Sequence, residues 1–145
     1  MSAAPQSFDN HAKMVPMFHG VTFGLLVINL VWAGVRVFRN FSTGTVVALL
    51  LAVALILVMF WARLFALGVQ DRVIRLEERL RMAQLLPDDL KSRIGDFTTG
   101  QLIALRFASD EELPGLARRV LNEGITDRKT IKQAVKNWRA DHQRI

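Results

Sequence analysis

The sequence predicts an all-α membrane protein: a two-helix transmembrane hairpin, its second helix extended into a cytoplasmic stalk, followed by a small helical domain. Three observations predict it. Met14–Val35 and Asn40–Ala62 are runs of 22 and 23 residues without Asp, Glu, Lys or Arg, and about 20 helical residues cross a hydrocarbon core roughly 30 Å thick. Only Arg36–Arg39 stands between the runs, which forces a tight reversal that leaves both chain ends on one side. Charge is segregated: 16 of the 19 Lys and Arg and 12 of the 13 Asp and Glu lie from Arg63 onward.

Residues 1–15 read as a cytoplasmic N-terminal segment. Phe8-Asp9-Asn10-His11 followed by His19 supplies two imidazoles and a carboxylate, a set able to bind zinc or iron. The spacing of the histidines across Pro16 matches no ligand pattern, so the segment reads as interfacial polar anchoring, with no metal or cofactor expected. A cleaved leader is not expected either: Met14–Val35 exceeds an h-region and no small-x-small site closes it.

The hairpin occupies 16–66, with helices predicted over about 16–38 and 43–66. Pro16 suits a first helical turn, where a missing N–H costs nothing. Gly20 and Gly24 form one small-residue stripe; Gly44, Ala48 and Ala52 form another. Helices associate in lipid through close backbone approach, so the stripes either pack on each other within one chain or drive oligomerisation. Trp32, Phe38 and Phe41 lie near the turn, and Phe18, Phe60, Trp61 and Phe65 near the other end, as aromatic belts would. Thr22 and Asn29 are the polar residues inside the first helix. With no Asp, Glu, Lys or Arg in either interior, Asn29 reads as a hydrogen-bonding group across a helix interface rather than as part of a solute path. Lys13, Arg63, Arg72, Arg75 and Arg79 on the terminal side outweigh Arg36 and Arg39 at the turn, which predicts both termini in the cytoplasm.

Residues 67–86 continue helix two as an amphipathic stalk. Val69, Val73, Leu76, Leu80 and Ala83 alternate steps of four and three, a heptad seam. Asp71–Arg75 and Glu77–Arg81 are favourable i,i+4 pairs, and Pro87 ends the helix. The seam is either the face onto which the rest of the chain folds or a surface for pairing between stalks.

Residues 87–145 read as a small cytoplasmic helical domain. Asp88 and Asp89 follow Pro87 at a helix start. Thr98 with Gln101 and Ser109 with Glu112 form capping boxes ahead of apolar runs, and Gly124 is placed as a stop. Thr126 or Asp127 caps a last helix carrying Ile131, Val135 and Trp138 on one side, with Lys129, Lys132, Lys136 and Arg139 on the others. Lys129, Lys132, Lys136, Trp138 and Arg139 could contact anionic lipid; core packing with solvated charges is the simpler reading. Ser109-Asp110-Glu111-Glu112 reads as capping rather than as an acid/base pair. The chain has no Cys, and no nucleotide-binding, zinc-protease or triad motif occurs.

Gln70–Arg81, Gln101–Pro114 and Ile131–Asp141, with Asn10-His11, Pro16 and His19, resemble a bacterial family of small two-span inner-membrane proteins. That family carries a domain-of-unknown-function label and is sometimes auto-named transport permease. The resemblance implies the bacterial inner membrane and the hairpin-plus-tail architecture, and brings no catalytic residue with it.

The expected role is therefore a non-catalytic, membrane-anchored interaction or scaffold protein acting through its cytoplasmic helices. Its expected partners are membrane lipid and a second copy or another membrane protein, with nucleic acid unlikely. Two alternatives stay open: a small subunit of an oligomeric channel or transporter, and an anionic-lipid-contacting surface module.

Overall fold

A computed structural model describes residues 6–8 and 15–141, and these divide into two compact units between Leu67 and Gly68, with 6–8 belonging to the second. The Asp9–His11 part of the N-terminal motif lies outside the described residues.

The first unit holds two long apolar helices, either of which could span a membrane by length and composition. Helix α1 is Phe23–Arg39, entered through a π-helical turn, Met17–Thr22. In that turn the Thr22 hydroxyl donates to the Met17 carbonyl at 2.9 Å. Thr22 thus satisfies its hydroxyl within its own helix, and no interhelical partner is needed. Asn40–Ser42 connects α1 to α2, which begins at Thr43. Thr45 is buried there: its hydroxyl donates to the Asn40 and Ser42 carbonyls and accepts the Ser42 N–H at 3.0 Å. These bonds satisfy groups that the connection between the helices would leave unpaired.

Within this unit the glycines of the small-residue stripes have no close neighbour. A Cβ added at Gly20 or Gly24 would meet no atom within 4 Å, and at Gly44 only the Ser42 hydroxyl at 3.9 Å. Gly20, Gly44 and Ala48 are exposed, whereas Ala52 and Ala33 are buried.

Helix α2 runs without a break from Thr43 to Leu85, and Pro87 ends it. The second unit packs α3 (Asp88–Lys91), a 3₁₀ turn (Ile94–Asp96), α4 (Thr99–Leu105), α5 (Leu113–Asn122) and α6 (Arg128–Ala134) against the outer part of α2. Helix α4 is central: residues 101–108 are all buried, and it contacts both α5 and α6. Its start is fixed by the expected capping box, with the Gln101 N–H to the Thr98 hydroxyl at 3.2 Å and the Thr98 N–H to Gln101 Oε1 at 2.8 Å. Leu102, Leu105 and Phe107 are fully enclosed, each burial stabilising by about 1.5–3 kcal/mol. Gly124 adopts φ +61° and closes α5 with a bond from the Ile125 N–H to the Val120 carbonyl at 3.0 Å. Asp127 caps α6, accepting the Thr130 N–H at 2.7 Å.

Two sequence expectations fail in this unit. The last helix ends at Ala134, before Trp138. Beyond it the chain turns back to pair with 107–112. Ala108 and Trp138 form an isolated antiparallel bridge, the Ser109 N–H reaches the Asn137 carbonyl at 2.9 Å, and the Arg139 N–H reaches the Phe107 carbonyl at 2.7 Å. Tertiary pairing overrides the helical periodicity of this stretch. The Ser109–Glu112 box is half-made. The Ser109 hydroxyl accepts the Glu112 N–H at 3.2 Å, but the Glu112 carboxylate turns away to accept the backbone N–H groups of Lys136 and Asn137 at 3.0 and 2.9 Å. Two charge-assisted bonds outcompete a single return bond to its own cap.

Candidate interaction site

The outer part of α2 presents two faces. Ile74, Glu78, Met82 and Leu86 recur at steps of four and are buried, and Met82, completely enclosed, and Leu86 belong to the core of the helical domain. The heptad seam lies on the other side. Val69, Val73, Leu76 and Leu80 are 62, 49, 61 and 60% exposed, and Ala83 is exposed as well. The expectation that the seam receives the rest of the chain is corrected: the domain folds onto the 74/78/82 stripe. That stripe wins because Glu78 on it and Arg81 beside it are held by polar groups of the domain.

Arg81 is the centre of that attachment. Its Nη2 donates to the Ala108 carbonyl at 2.7 Å and to Asp110 Oδ1 at 2.7 Å; its Nε donates to the same oxygen at 2.9 Å. Its Nη1 donates to Glu78 Oε2 at 3.1 Å. Glu78 has a second cation, Arg139 Nη1, 3.6 Å from its Oε1. The expected Glu77–Arg81 pair gives way to these contacts. Burial pushes the Glu78 carboxyl above its ordinary range, and the opposing pull of Arg81, Arg139 and Arg106 does not offset it. A polar cleft of about 470 Å³ opens beside the group, lined by Glu77, Glu78, Arg81, Gln84, Asp110 and Arg139 among others.

Next to it, Phe107 is wrapped by cations and a ring. The Arg106 guanidinium lies 4.4 Å from the ring centroid, Lys132 Nζ 5.3 Å, and the Trp138 ring 4.8 Å. The buried Arg106 pairs with Asp141 at 3.0 Å. Gln6 then joins the N-terminal segment to this corner: its amide donates to the Asp141 carbonyl at 3.0 Å and accepts the Asp141 N–H at 2.8 Å.

These contacts redistribute the residues offered as lipid ligands. Trp138 and Lys132 pack on Phe107, and Arg139 faces Glu78; Lys129 and Lys136 are exposed. They do not form one amphipathic helical face. Asp110 and Glu112 are likewise engaged, by Arg81 and by backbone N–H groups. In the first unit Asn29 is exposed, and no group of three or more metal-ligating side chains occurs among the described residues.

Sequence reasoning missed the Glu78–Arg81–Asp110–Arg139 cluster. A signal was present: Ile74, Glu78 and Met82 form a second stripe at steps of four, and a carboxylate on an otherwise apolar stripe needs a cation from elsewhere in the fold.

A family model, described as a family of unknown function (DUF6526), matches residues 1–145. No curated protein and no solved structure matches the chain.

Proposed function

We propose, for a chain that belongs to the DUF6526 family, a non-catalytic role as a membrane-anchored interaction or scaffold protein. The apolar helices hold it in the bilayer, and the outer part of α2 with the domain folded on it meets the partner. In this reading the membrane is the bacterial cytoplasmic membrane, and both termini are cytoplasmic. The Lys and Arg bias toward the terminal side favours that orientation, and the Gln6–Asp141 pair, joining the two ends of the chain within one unit, agrees with it.

The observation that carries the reading is the unused face of α2. A helix whose opposite side is already packed leaves a row of valine and leucine half or more exposed, at the spacing of a helix-pairing surface. Glu78 and Arg81, away from that row, are engaged with each other and with the domain. The test is crosslinking of the full chain in native membranes, with identification of the attached protein and the particle mass in mild detergent. The reading expects a specific adduct and a mass above the monomer. A monomer in mild detergent without any adduct overturns it.

A further inference from the structure

We infer that the partner of this face is a second copy of the chain, held as a parallel two-stranded coiled coil over Val69–Ala83 with Arg72 of each copy paired to Glu77 of the other. The inference rests on the proposed interaction role and names its partner. In the heptad register Val73 and Leu80 take position a, and Val69, Leu76 and Ala83 take position d. The residues buried against the helical domain, Ile74, Glu78 and Met82, then fall at b, f and c, on the far side of the helix. The domain therefore leaves the whole seam open to a neighbour. A β-branched residue at a followed by leucine at d, as in Val73 and Leu76, is the combination that favours two strands.

Charge decides the orientation. Arg72 sits at g and Glu77 at the next e, both exposed, and neither forms an ion pair among the described residues. In a parallel pair, g of one strand faces the following e of the other, which gives two symmetric Arg72–Glu77 contacts. In an antiparallel pair g faces g, and Arg72 would meet Arg79. Anchoring by the same apolar helices also presents two copies side by side and parallel. It raises their effective concentration, which a seam of little more than two heptads requires.

The natural chain lacks cysteine, so single-cysteine variants of the full chain report on this directly. Val73→Cys, Leu76→Cys and Leu80→Cys are oxidised in native membranes, with Glu111→Cys, an exposed site on the helical domain, as control. Each seam variant is expected to give a disulfide-linked homodimer several-fold above the control. Equal yields at seam and control, or a dimer at a single seam position only, overturn the parallel pair. Arg72→Glu in the Leu76→Cys chain is expected to lower the yield several-fold, and adding Glu77→Arg to restore it. Failure of that restoration overturns the assigned register. A seam adduct with a different protein overturns the second copy while leaving the interaction role standing; a monomer without adducts removes both. Retained thermal unfolding of the helical domain in each variant shows that the fold is intact, since these side chains point away from its core.

Discussion

Replacing Arg81 by methionine should loosen the helical domain from α2, and its cost follows from the contacts. The Arg81 side chain is only 10% exposed and bonds to Glu78, Ala108 and Asp110. Removing one member of a buried pair costs roughly 3–5 kcal/mol because the other charge stays buried. Here Arg139, 3.6 Å from Glu78, offsets part of that. An orphaned Ala108 carbonyl adds about 1–3 kcal/mol. The Asp110 contact contributes at most about 1 kcal/mol, since that carboxylate is largely exposed. The expected loss is about 3–6 kcal/mol. Glu78→Gln in the same chain removes the stranded charge and should recover at least half of that loss. The assay is urea unfolding in detergent followed by Trp138 fluorescence, in a chain carrying Trp32→Phe and Trp61→Phe so that the indole on Phe107 is the sole reporter. A loss under 1 kcal/mol, or strict additivity of the two changes, would refute the reasoning.

Other outcomes follow from the same structure. Glu78 makes the domain more stable in acid than in neutral solution. Its folded-state pKa lies above the ordinary 4.5, so the unfolded chain gives up this proton first. The contribution is complete below 4.5 and is lost as pH rises through the folded value. Glu78→Gln should flatten that fall, as read by thermal unfolding against pH. Asp127 works in the opposite sense: bonds from Thr130 hold its carboxyl below the ordinary 3.8, so its contribution is present above that value and is lost as pH falls through the folded one. Asp127→Asn should remove that acid limb in the same scan. Thr98→Ala, which removes the hydroxyl that accepts the Gln101 N–H in a formed capping box, should cost about 1 kcal/mol in urea unfolding. Gly124→Ala should cost about 1 kcal/mol or slightly more, because φ +61° is strained for any side chain.

The long-range plan of this chain is legible in its sequence because it rests on strong, local signals. Charge-free runs, Pro87, the Thr98–Gln101 box and Gly124 each act on their own few residues, and the helices start or stop where those residues require. What stayed hidden depends on which distant groups meet. The seam at Val69–Ala83 is legible as a stripe, but nothing local says which of two stripes the domain covers; Asp110 and Ala108, far along the chain, decide it through Arg81. Trp138 lies at helical spacing from Ile131 and Val135, yet the bonds offered by 107–112 to the chain after Ala134 outweigh another turn of helix. The glycine stripes follow a spacing that permits close approach without requiring it, and here the neighbouring space is empty within one chain.

In the proposed role the outer part of α2 binds the domain of its own chain on one side and a partner on the other. A photo-crosslinking residue placed in turn at each position from 69 to 86, with adducts resolved by mass in native membranes, tests it most directly. The account predicts intermolecular adducts peaking at 69, 73, 76, 80 and 83, and only intramolecular ones at 74, 78 and 82. Intermolecular yield that is flat along the helix, or that peaks at the positions the domain covers, would contradict it.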